Sequence, residues 1–166
     1  MAVFDETNDD PMLRRAFAIA RATRDAGNPA YGAILVGPDG SLLMEQGNTY
    51  AEGKDMTAHA ERLLATRASR RWRPDFLAGC TLYSSAEPCA MCAGAIYWAG
   101  IGRVVFGQSV ADLGRRGGGD VDNPTLPLPC RTVFDAGPNR VVVRGPLLED
   151  EAAALQPGFR AGGQAG

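Results

Sequence analysis

His59-Ala60-Glu61 and, one helix and one strand further on by pattern, Pro88-Cys89-Ala90-Met91-Cys92 are the stretches on which the reading of this chain turns. His59 is the only histidine among the 166 residues, so any imidazole chemistry is done there. Zinc takes nitrogen and thiolate donors in a tetrahedron, and a catalytic zinc keeps one position open. His59, Cys89 and Cys92 supply three donors with no evident fourth, a count that suits an open site better than a closed structural one. Pro88 is placed to start a helix, which sets Cys89 and Cys92 one turn apart on one side. At a helix N-terminus, free N–H groups and the helix dipole favour thiolate. Glu61 is not needed as a ligand; its chemistry is that of a general acid and base.

Each piece alone has a plainer reading. An isolated H-x-E is a partly buried helix histidine. An isolated C-x-x-C is a redox pair or half of a structural zinc site, for which only Cys80 and Cys130 remain as partners. Cys80 precedes the strand-like Thr81-Leu82-Tyr83, where a cysteine packs as a small hydrophobe. Cys130 falls in a proline-rich stretch read as loop. The two motifs together, in this order, form the pattern of zinc-dependent base deaminases, H-x-E followed by P-C-x-x-C.

Working outward, Asp10-Pro11 reads as the cap and first residue of a helix carrying Leu13, Phe17 and Ala20 and ending near Gly27. Residues 31–36 form an apolar strand, Pro38-Asp39-Gly40 a turn, and residues 41–45 a returning strand. Residues 56–70 read as a helix with His59 and Glu61 in its first turn, and residues 81–84 as a short strand. Residues 89–99 read as a small-residue apolar helix, largely buried. Strands are expected at 103–106 and 140–143, a last helix at 147–155, and an aperiodic loop from Gly114 to Pro129. This order implies an α/β sheet covered by helices. One domain spanning 1–166 is expected, with its core at about 11–156 and a C-terminal tail.

Composition is globular, 45% hydrophobic and 22% charged, with a formal net charge of −2. That balance argues against a broad basic footprint for nucleic acid. No apolar run reaches membrane-span length and the N-terminal residues are acidic, so a cytoplasmic, membrane-free protein is expected.

The segments Gly32-Ala33-Ile34-Leu35-Val36, Gly47-Asn48, Thr57-Ala58-His59-Ala60-Glu61 and Glu87-Pro88-Cys89-Ala90-Met91-Cys92-Ala93-Gly94-Ala95-Ile96 resemble the cytidine-deaminase-like superfamily. The likeness is closest to its bacterial guanine-deaminase-like and tRNA-adenosine-deaminase-like branch and runs from about Met12 to Leu155. It implies a three-layer α/β/α sandwich around a five-stranded mixed sheet, one catalytic zinc per chain held by His59, Cys89 and Cys92, and a homodimer. Glu61 is then the proton carrier for hydrolytic loss of ammonia from an amino-substituted base.

By the same resemblance Asn48, the backbone N–H of Ala60, Tyr31, Glu87 and Asp120 make up the substrate contacts. Tyr31 reads equally as a core aromatic, and Asn48 as the residue closing the Gly47-Asn48 turn. The guanine-type pattern wants acids in a post-strand loop and another after the last strand. Asp120 or Asp122 answers the first, whereas Arg144-Gly145-Pro146 stands at the second, and only Phe159 matches the expected C-terminal aromatic. Glu149, Asp150 and Glu151 are a poor surface for RNA phosphates. A free base of guanine, isocytosine, cytosine or aminotriazine type is therefore the expected substrate. A tRNA adenosine deaminase and a non-catalytic zinc or redox module are the competitors.

Overall fold

The structure is a computed structural model, and it describes residues 4–116 and 126–156. Helix α1 (Asp9–Asp25) leads into a hairpin of β1 (Gly32–Val36) and β2 (Leu42–Gly47). Short α2 (Tyr50–Gly53), α3 (Ala60–Arg71) and one-turn α4 (Pro74–Leu77) follow. Then come β3 (Thr81–Ala86), α5 (Ala90–Ala99), β4 (Arg103–Gln108), α6 (Val110–Arg115), α7 (Cys130–Asp135), β5 (Val142–Arg144) and α8 (Glu149–Ala153). The sheet order is β2-β1-β3-β4-β5. β1 runs antiparallel to both its neighbours, while β3, β4 and β5 are mutually parallel.

The central strands β1, β3 and β4 are buried along their whole length, which is why they read as continuous apolar runs rather than as alternating ones. On one face, Leu13, Ala16, Phe17 and Ala20 of α1, with Ala152 of α8, cover Ile34, Val36, Tyr83 and Val105. On the other, Leu64, Ala65 and Ala68 of α3, Ala93 and Ile96 of α5, and Phe134 of α7 cover Leu35, Leu82, Val104 and Phe106. The expected three-layer sandwich with a five-stranded mixed sheet is the fold. α1 lies so close to β1 that a Cβ on Gly32 would stand 2.5 Å from the Ala20 nitrogen. Gly100 ends α5 at φ +84°, a left-handed position that glycine adopts without strain.

Several local expectations are corrected. α1 begins at Asp9, not after a capping Asp10, because Asp9 is drawn inward: it is 1% exposed. Its carboxylate accepts hydrogen bonds from both Arg103 terminal nitrogens (2.9 and 2.6 Å), from the Tyr83 hydroxyl (2.8 Å) and from Arg144. α3 starts at Ala60, so His59 precedes the helix. α5 buries one face only, and Trp98 is 85% exposed. The stretch read as loop from Gly114 opens within α6 and closes against α7. There Cys130 is the fully buried first helical residue and not a loop residue. Arg115 and Arg116 both pair with Asp112.

Candidate active site

Two helix N-termini meet beside the C-terminal end of β3. Ala60 and Ala90 begin α3 and α5, and the residues just ahead of them, His59 (φ −68°, ψ 145°) and Cys89 (φ −65°, ψ 170°), are extended. Extended backbone at a cap turns the side chain across the helix end instead of along its flank. Cys92 sits in the first turn of α5 and is buried. The His59 Nδ1 atom stands 3.6 Å from Cys89 Sγ and 3.5 Å from Cys92 Sγ. Zinc bonds of about 2.05 Å to nitrogen and about 2.3 Å to sulfur, at the tetrahedral angle, require a separation of about 3.6 Å. The donor set therefore fits a zinc ion coordinated through Nδ1 and two sulfurs. Among the described residues, His59, Cys89 and Cys92 are the only group of three or more such donors that converge.

The electrostatics agree. The hydrogen bond from Cys92 pulls the Cys89 thiol down to about 4, against the cost of burial and with help from His59. Cys92, the donor in that bond and buried, is pushed up. The Cys89 contact also raises His59. Both sulfurs would ligate a dication as thiolates. Zinc analysis of the purified protein is expected to give about one ion per chain, falling to about a tenth or less in Cys89→Ala after dialysis, since three protein ligands are the minimum for such a site.

Glu61 lies in the first turn of α3 and is 5% exposed. Its Oε1 accepts the Ser84 hydroxyl at 2.8 Å, and Oε2 is 3.8 Å from Cys92 Sγ. Burial raises its pKa above the usual carboxylate range, opposed by His59. Tyr31 belongs to the same neighbourhood. Burial pushes its hydroxyl up to about 12, and the charges of Glu61 and Cys89 add to that. The Asn48 N–H donates to the Tyr31 carbonyl (3.1 Å), and the Asn48 Oδ1 accepts the Tyr50 N–H at 2.8 Å. That bond fixes the amide, so the Asn48 NH₂ is the group left to donate. Ala60 is the first residue of α3, where the backbone N–H has no acceptor within the helix.

One expected substrate contact falls elsewhere. Glu87 spends its carboxylate on main chain: Oε2 accepts the Val110 N–H (3.0 Å) and Oε1 the Cys130 N–H (2.9 Å), tying α6 and α7 to the metal loop. Asp120 lies outside the described residues, as do Asp122 and Phe159. One residue of the site escaped sequence reasoning. Ser84 gave a usable signal, a hydroxyl inside a strand buried on both faces.

An α/β/α sandwich with one histidine and two cysteines gathered at paired helix N-termini defines a zinc-binding hydrolytic domain of the deaminase type. The family model for the cytidine and deoxycytidylate deaminase zinc-binding region matches residues 6–108, and the chain belongs to that family. It is 38% identical over 152 residues to the "Probable cytosine deaminase" of Schizosaccharomyces pombe, 92% of each chain being covered. With the tRNA-specific adenosine deaminase of Aquifex aeolicus it shares 37% over 120 residues, 69% of this chain and 76% of the other. The guanine deaminase of Nitrosomonas europaea superposes with a TM-score of 0.72 at 25% identity, covering 93% of this chain and 84% of the other. The protein is a deaminase of the cytidine-deaminase-like family. No helix among its described residues is long and apolar enough to cross a membrane.

Proposed function

We propose that this chain, as a single domain, hydrolytically deaminates a free amino-substituted nucleobase, with cytosine-type pyrimidines first and guanine second. The observation that carries the chemistry is the buried Glu61 carboxylate set beside the His59, Cys89 and Cys92 donor atoms but outside their set. Those three residues would hold zinc, and the bound ion would lower the pKa of a water towards roughly 7. Glu61 takes a proton from the attacking water and delivers it to the ring nitrogen beside the amine-bearing carbon. Glu61 then carries the proton of the newly added hydroxyl to the amine, the carbon–nitrogen bond breaks, and ammonia leaves a carbonyl behind. The Asn48 NH₂ and the Ala60 N–H are the donors for a carbonyl oxygen of the base, and Tyr31 forms a wall of the pocket.

The match along almost the full length of both chains to the Schizosaccharomyces pombe protein supports a cytosine-type substrate. The net charge of −2 and the acids Glu149, Asp150 and Glu151 at α8 weigh against an RNA substrate. A screen for ammonia release over cytosine, isocytosine, guanine, adenine, aminotriazines, their nucleosides and an anticodon stem-loop tests this. Turnover of a free base is expected, and turnover of RNA alone would remove the proposal.

The functional unit is proposed to be a homodimer that covers the outer face of α5, where Trp98 stands edge-on to Tyr97 and is otherwise open. Sedimentation of Trp98→Glu is expected to show monomers that still fold and bind zinc, because Trp98 is outside both buried cores. A dimer unchanged by that substitution places the interface elsewhere.

A further inference from the structure

We propose that Ser84 is a positioning residue for Glu61: its hydroxyl occupies one carboxylate oxygen and thereby assigns proton transfer to the other. This rests on the reading of Glu61 as the proton carrier. Ser84 lies in β3, 1% exposed, and its hydroxyl donates to Glu61 Oε1 at 2.8 Å. A buried hydroxyl without a partner is costly, so an apolar residue would serve the strand better unless the bond were used.

The hydroxyl's point of origin is rigid. Ser84 is paired with Ala33 on one side and Phe106 on the other, so both ladders hold its backbone. Glu61 reaches it from a helix packed on the same sheet face. A donor on a doubly paired strand locks a carboxylate more tightly than one on a loop. Among the described residues, the other side-chain donor bonded to Glu61 is the Cys92 thiol, at 3.8 Å from Oε2. Cys92 loses that proton when its sulfur serves as a metal ligand. Ser84 then remains as the donor on Oε1, and Oε2, on the side of the donor cluster, keeps its lone pairs for the proton.

The hydroxyl matters here more than side-chain volume. Alanine and valine both lack the donor; threonine restores it with one added methyl. Loss of a hydrogen bond to a charged group corresponds to about a ten- to hundredfold change. For zinc-loaded protein acting on the base that the wild type turns over, Ser84→Ala is expected to lower kcat by about that factor. KM and zinc content should be unchanged, with Ser84→Val equally impaired and Ser84→Thr largely restored.

Crystal structures of the metal-free variants give a readout independent of turnover. The Glu61 carboxylate should be turned or split in Ser84→Ala and held as in the wild type in Ser84→Thr. Full kcat in Ser84→Ala, with Glu61→Ala inactive, overturns the role of Ser84 and leaves that of Glu61 standing. Turnover by Glu61→Ala overturns both.

Discussion

Glu61→Ala is expected to abolish ammonia release while leaving zinc in place. Removing a general acid and base costs about 10²- to 10⁴-fold in rate, and here the same carboxylate serves both the attack of water and the departure of the amine. The loss should therefore lie at the upper end of that range. Glu61 is not in the converging donor set, so metal analysis should still find about one zinc per chain. Glu61→Gln keeps the volume and an acceptor for the Ser84 hydroxyl, yet takes no proton from water; it should be as inactive as alanine. Parallel loss of zinc and activity in Glu61→Ala would instead make the residue structural. Steady-state ammonia release and elemental analysis on the same preparations separate these outcomes.

The second large effect is on stability, at the opposite face of the sheet. Asp9 is 1% exposed and surrounded by Arg103, Tyr83 and Arg144, with Arg103 equally buried. Removing one partner of a buried pair strands the other charge, at about 3–5 kcal/mol. In a domain of this size that amounts to a fall in Tm on the order of 10 °C. Asp9→Ala should show it in thermal and urea melts. The double variant Asp9→Leu/Arg103→Met should recover much of the loss, because an apolar pair of similar size escapes the desolvation cost.

The pH dependence of the same pair has a definite sign. Burial raises the Asp9 pKa, but hydrogen bonds from Arg103, Tyr83 and Arg144 outweigh it and hold the group below 3.8. A carboxylate depressed in the folded state contributes stability above its unfolded value, and that contribution is lost as pH falls through the folded pKa. Wild type minus Asp9→Ala should thus be constant near neutrality and shrink only below about pH 4.

What the sequence disclosed and what it hid follow the same physics. β1, β3 and β4 were legible because strands covered on both faces must be apolar throughout. The zinc donors were legible because one histidine and a C-x-x-C leave few alternatives. α5 misled in part: small apolar residues all round imply burial, yet the chain covers only one face, and Trp98 stays open for what we propose to be a second copy. α7 hid in a proline-rich stretch because its start is held by Glu87, 43 residues away in sequence, rather than by a local cap. The Glu87 contact also shows why a motif residue beside two metal ligands need not face substrate. Its carboxylate is consumed by the N-termini of α6 and α7. Asp9 carries no sequence signal, because nothing local marks a partner that is 94 residues away.

The central claim, a zinc-dependent deaminase of a free base, is tested most directly by offering the zinc-loaded protein cytosine, guanine and an anticodon stem-loop side by side and measuring ammonia. The account predicts release from a free base, cytosine foremost, and none from the RNA. Release from the stem-loop with both bases untouched would contradict it.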